Sequence, residues 1–212
     1  LERISANIQE NTGSETVGFQ VDVADPDSVI KLAEDVKNRF GTVDVLVNTQ
    51  GLNYKHPATD FPVDQWDKMF GVNVKGVMLA CKEFGKIMIA NKKGKIINLS
   101  SVRGLRATLW GGNEGYCGTK GAVDMMTRSL ASEWAEHNIN VNAIGPSLIR
   151  TPLAEKTLND PERLAVYLAN VPLKRVGEPK DLVGLCVFLA APASDFITGQ
   201  IIYLDGGLTA VG

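Results

Sequence analysis

The strongest constraint in this sequence is an alternation. Short β-branched runs at Val17–Val23, Val43–Asn48, Lys95–Ser101, Ile139–Ile144 and Gln200–Leu204 are separated mostly by long segments whose apolar residues recur at helical spacing. Strands that alternate with helices in series must run parallel, because each helix carries the chain back to the edge where the next strand begins. The pattern predicts an α/β fold: a doubly wound parallel sheet, Rossmann-like, in a three-layer αβα arrangement with helices on both faces. Asp25-Pro26-Asp27 has the proline and acids of a helix start, and Val29, Leu32, Ala33 and Val36 follow on one face. Val123, Met126, Leu130 and Trp134 repeat that spacing further on. Long helices are expected over 64–90 and 115–137, and 212 residues with 44% hydrophobic content suit a single domain over 1–212.

Charge and cysteine content narrow the function. A net charge of −2 without a basic stripe argues against nucleic acid or an anionic membrane as the main partner, and favours a small molecule. Cys81, Cys117 and Cys186 are an odd, scattered set, and no signal peptide or membrane-length apolar run is read, so the expected compartment is the reducing cytoplasm. His56 and His137 have no second ligand at metal-binding spacing, and no metal is expected.

The chemistry concentrates in Tyr116-Cys-Gly-Thr-Lys120. On a helix the phenol and the ammonium lie on one face, and a fixed cation lowers a neighbouring phenol's pKa, so Tyr116 is a candidate acid/base. Ser101 ends a buried strand run, at the carboxyl end where open α/β sheets keep their reactive groups. Asn73 in Gly71-Val-Asn-Val-Lys-Gly76 and Asn142-Ala-Ile-Gly-Pro146 complete the set.

In order and approximate spacing these residues resemble the short-chain dehydrogenase/reductase family. The resemblance runs from about Thr16 to the C-terminus. The tail from Arg175 to Gly207, with Glu133-Trp134, is most similar to gluconate 5-dehydrogenase-like members. The resemblance implies an NAD- or NADP-dependent enzyme that moves a hydride between nicotinamide and a secondary alcohol or ketone, with Ser101, Tyr116, Lys120 and Asn73 catalytic. It assigns cofactor contacts to Asp22, Val23, Asn48, Gly51, Tyr116, Lys120, Pro146, Ser147, Ile149 and Thr151.

Within the same resemblance, the stretch after Thr151-Pro152 forms a mobile lid over the substrate. The implied assembly is a homotetramer. The first two strands of the family's sheet, with their glycine-rich phosphate turn, have no counterpart in the residues given. Asn48-Thr-Gln-Gly51 departs at two positions from the family's Asn-Asn-Ala-Gly, and the interval from Ser101 to Tyr116 is longer than in the commonest form. The surplus is expected to bulge between Leu105 and Gly115.

Arg103 and Arg106 follow Ser101 closely and suit a substrate carboxylate, while Trp110 could stack on a sugar ring. A sugar acid or polyol is therefore the expected substrate. The alternatives are a 3-oxoacyl thioester reductase and a binding or scaffold protein that keeps the fold without turnover.

Overall fold

The computed structural model describes residues 2–108 and 110–211. Among them, four strands form one parallel sheet in the order β1 (Val45–Asn48), β2 (Gly94–Leu99), β3 (Ile139–Pro146) and β4 (Ile201–Leu204). Asn48 pairs with Asn98, and Leu99 with Ile144, so β1, β2 and β3 end near one level and hand their following loops to the same edge. That carboxyl edge is where a doubly wound sheet opens its crevice.

Among the described residues, eight α-helices accompany the sheet: α1 (Glu2–Thr12), α2 (Pro26–Phe40), α3 (Val63–Phe70), α4 (Gly76–Asn91), α5 (Glu114–Trp134), α6 (Glu155–Leu158), α7 (Pro161–Asn170) and α8 (Pro179–Ala190). Alternation along β2 sorts them into layers, because successive side chains point to opposite faces. Ile96 packs with Val77, Cys81 and Met88 of α4 and with Val123, Ala131 and Trp134 of α5. Its neighbour Ile97 packs with Ile144 and with Leu185, Cys186 and Leu189 of α8. The sheet is therefore covered on both faces, as the sequence predicts.

Two expectations are corrected. Val17–Val23 is not a strand, because no described residue runs beside it, and a strand exists only through its hydrogen-bonded neighbour. The helix expected over 64–90 is interrupted by a π turn at Gly71–Lys75 between α3 and α4. That turn sits close against the preceding chain, since a Cβ on Gly76 would lie 3.1 Å from both the side chain and the carbonyl of Val23. A π turn inside a helix often marks a functional position. Here its central residue is Asn73, fully buried.

Candidate active site

Four segments enclose a cavity of about 380 Å³ at the carboxyl edge of the sheet. They are the loop after β1, the loop after β2, the start of α5 and the segment after β3, with Tyr167 of α7 and Pro179 and Leu182 of α8 also on the wall. The volume suits a small ligand. Ser101, Tyr116 and Lys120 all line it.

Burial sets the electrostatics. The Tyr116 phenol is pushed up to about 12, first by desolvation, with the Ser101 hydroxyl acting in the opposite direction. Lys120 is pulled down to about 8, again first by desolvation, with Asp124 opposing. The Lys120 Nζ sits 5.6 Å from the Tyr116 ring centroid and donates to the Leu99 carbonyl at 2.6 Å. The expectation that Lys120 lowers the Tyr116 pKa is therefore not met in this form. The ammonium is engaged by a backbone carbonyl, and desolvation of the phenol dominates.

Asn73 reaches the site through the backbone. Its Oδ1 accepts from Leu52 N at 2.7 Å, and its Nδ2 donates to Leu52 O at 2.8 Å and to Thr119 Oγ1 at 3.1 Å. This two-way clamp fixes the chain just after Gly51 and ties it to the turn of α5 between Tyr116 and Lys120. At Gly51 a Cβ would approach the Asn73 Oδ1 to 3.8 Å and the Lys120 Nζ to 3.9 Å, so the bare glycine faces the same corner.

Of the remaining expected residues, Gly51, Pro146, Ser147, Ile149, Thr151, Arg103 and Trp110 line the cavity. Ser147 is held by Tyr167, whose phenol oxygen lies 2.8 Å from its Oγ and accepts from Leu148 N at 3.2 Å. Asn48 is not on the wall. Its Nδ2 donates inward to Asn98 Oδ1 at 2.9 Å, and Asn98 in turn donates to Thr127 at 3.0 Å, a buried polar chain between sheet and α5. Asp22 and Val23 lie outside the cavity: Asp22 is exposed and its carboxylate caps Ala24 N at 2.9 Å, while Val23 packs on Gly76. Arg106 is also outside, and its Nη1 donates to the Leu208 carbonyl at 2.8 Å.

The wall also contains Gln50, one of the two departures in Asn48-Thr-Gln-Gly51, and residues that the sequence alone did not single out: Asn53, Lys55, Asn113 and Tyr167. Gln50, Asn53 and Asn113 each bury one amide atom with no hydrogen-bond partner. The sequence offered one clue to Asn113, its place at the end of the over-long loop that was expected to bulge.

The residues present fit the nicotinamide–ribose end of a nicotinamide dinucleotide. An ammonium has three donors and Lys120 commits one of them within the protein, which leaves two facing the cavity beside Gly51. Gln50 buries an unused Nε2 in the same wall.

Comparison with known proteins agrees with this geometry. A family model described as enoyl-(acyl carrier protein) reductase matches residues 2–209. The chain is 38% identical to 2-dehydro-3-deoxy-D-gluconate 5-dehydrogenase of Pseudoalteromonas atlantica, with 90% of this chain and 74% of that protein covered. It is 34% identical to 5-keto-D-gluconate 5-reductase of Escherichia coli, covering 92% of this chain and 76% of that one. Among solved structures, it superposes with a TM-score of 0.96 and 31% identity on a gluconate 5-dehydrogenase from Burkholderia cenocepacia in complex with NADP and tartrate. The match covers 99% of this chain and 81% of that one.

Proposed function

The chain belongs to the short-chain dehydrogenase/reductase family, and from that premise we propose that it interconverts a secondary alcohol and a ketone on a sugar acid or polyol, with Ser101, Tyr116 and Lys120 as the catalytic residues. It is an NAD(P)-dependent oxidoreductase acting on CH–OH groups. The observation that carries the substrate reading is the polar wall of the cavity, where Lys55, Arg103, Asn53 and Asn113 stand around the catalytic hydroxyls.

The nicotinamide dinucleotide, when bound, supplies or takes the hydride. Lys120 would hold its ribose hydroxyls with the two unused donors, and Gly51 would allow close approach of the backbone. Pro146, Ser147, Ile149 and Thr151 would line the nicotinamide end. Tyr116 exchanges the proton with the substrate oxygen. Its raised pKa keeps the phenol protonated at neutral pH, the donor form needed for ketone reduction. Ser101 hydrogen-bonds the same oxygen and steadies the charge that develops on it. Asn73 ties the Gly51–Leu52 segment to the start of α5, so that Lys120 and the backbone would meet the ribose together.

We also retain the homotetramer as a proposal. Exposed Val183, Val187 and Phe188 on α8, Phe196 before β4, and Met125 on α5 give apolar surface in two places where contacts between copies would form.

The test is a dehydrogenase screen of sugar acids, neutral polyols and 3-oxoacyl thioesters with NAD and NADP. Turnover of a sugar acid or polyol supports the proposal. Turnover confined to thioesters, or none with any substrate, refutes it.

A further inference from the structure

The charge on the cavity wall is one-sided. Lys55, Arg103 and Lys120 line it, and no described lining residue is an aspartate or glutamate. Lys120 is committed to the Leu99 carbonyl and the cofactor corner. Arg103 gives one nitrogen to the Ala107 carbonyl at 2.5 Å, which orients the guanidinium and leaves its other donors open. Lys55, at the mouth, makes no hydrogen bond or ion pair among the described residues, and the charges acting on it, from Arg163, Arg103 and Lys156, are all positive. Like charges gathered without a counter-ion repel one another, and a bound anion relieves that repulsion.

The second observation is Asn113. It stands at the N-cap of α5, where asparagine normally accepts from the first turn, yet its side chain makes no cap bond. It is 6% exposed and its Oδ1 has no partner among the described residues. The over-long loop puts it there. Gly111 and Gly112 both take φ of +65°, a left-handed conformation that suits glycine, and His56 N donates to the Gly112 carbonyl at 3.1 Å, pinning the loop to the segment after β1. Asn113 then enters the cavity three residues before Tyr116. Asn53, across from it in the loop after β1, also buries an unpartnered Oδ1. A buried amide atom without a partner is costly, so these atoms call for hydroxyl groups on the ligand.

We propose that the cavity selects a polyhydroxylated substrate with an anionic group remote from its reacting carbon, the anion held at the mouth by Lys55 and Arg103 and a hydroxyl near the reacting carbon held by Asn113. This rests on the reading of the cavity as an alcohol-oxidising site. A neutral polyol leaves the two cations uncompensated, and an acyl chain leaves the amides unsatisfied. Lys55 and Asn113 are then the residues that set specificity, with Arg103 beside them.

The test compares D-gluconate with D-glucitol, its neutral counterpart of equal length, in the wild type and in Lys55→Met. The ratio of kcat/KM for gluconate to that for glucitol should fall roughly 10- to 100-fold, the range for losing a hydrogen bond to a charged group. The change should sit in KM more than in kcat, since the anion is remote from the reacting carbon. Asn113→Ala should lower kcat/KM on both substrates by about tenfold. An unchanged ratio in Lys55→Met overturns the proposal. So does a rise in the KM for the dinucleotide in place of that for gluconate, which would assign Lys55 to a cofactor phosphate. Calorimetry of gluconate binding in the presence of reduced dinucleotide needs no turnover. If the screen above finds no activity, equal gluconate affinities in wild type and variant still refute this inference, and a tenfold or greater loss in the variant still supports it.

Discussion

Replacing Lys120 by methionine should make the protein more stable while removing its activity. The side chain is almost fully buried, and its pKa falls from 10.5 to about 8, first through desolvation. That displacement corresponds to about 3 kcal/mol by which the fold penalises the ammonium. Methionine has nearly the same shape and carries no charge. Against the gain stands the Leu99 carbonyl, which loses its donor at a cost of about 1 kcal/mol, together with the lost attraction to Asp124. A net gain of about 1 to 2 kcal/mol at pH 7 remains, or about 2 to 8 °C in Tm for a chain of this size.

The sign with pH follows from linkage. Between pH 8 and 10.5 the unfolded chain still holds the lysine proton while the folded protein has released it, so wild-type stability rises through that window. The variant lacks that titration, and its advantage should shrink across the same window. Thermal melts of both proteins from pH 7 to pH 10 check this. A variant less stable than wild type at pH 7, or an advantage that does not change with pH, would refute the burial argument.

Other expectations are brief. Asn73→Ala orphans the N–H and the carbonyl of Leu52, and should cost about 2 to 4 kcal/mol by denaturant unfolding, while Asn73→Asp should cost at least as much, because it buries a carboxylate against the Leu52 carbonyl. Gly112→Ala forces a Cβ into a left-handed conformation 3.1 Å from the His56 carbonyl oxygen. It should lower stability by about 1 kcal/mol or more, and kcat/KM should fall with it as Asn113 shifts. Light scattering should give the mass of a tetramer, and a stable monomer would remove that proposal. In the tetramer, Val187→Glu on the exposed face of α8 should lower the mass in solution.

The central strands were legible in the sequence because both of their faces are buried, which leaves continuous apolar runs such as Lys95–Ser101. Val17–Val23 has equally strong local preference, but strandness is a property of pairs and no described neighbour pairs with it. The π turn at Gly71–Lys75 adds a residue to one helical turn, and Gly76 beside it lies close against Val23, a neighbour distant in sequence that local pattern does not show. That Ser101, Tyr116 and Lys120 would share one cavity could be read because their order along the chain is itself the motif. The fate of the polar residues around them could not. Asn48 is drawn into the core by Asn98, and Arg106 is taken by a carbonyl 102 residues away. Lys55 and Asn113 both line the cavity, and their neighbours His56 and Gly112 are joined by a backbone hydrogen bond between segments far apart in sequence. The same limit explains the reversed expectation for Tyr116, since helical spacing gave the distance to Lys120 but not the burial that outweighs it.

The most direct test of the central claim is the turnover of Tyr116→Phe on the best substrate from the screen, with dinucleotide binding measured on the same preparation by fluorescence of the reduced cofactor. Removing one hydroxyl deletes the proton-transfer group and its contact with Ser101 and keeps the ring. The account predicts a fall in kcat of ~10²-fold or more with cofactor affinity within about threefold of wild type. Turnover close to wild type would contradict it, because the proton would then be exchanged by a group other than Tyr116.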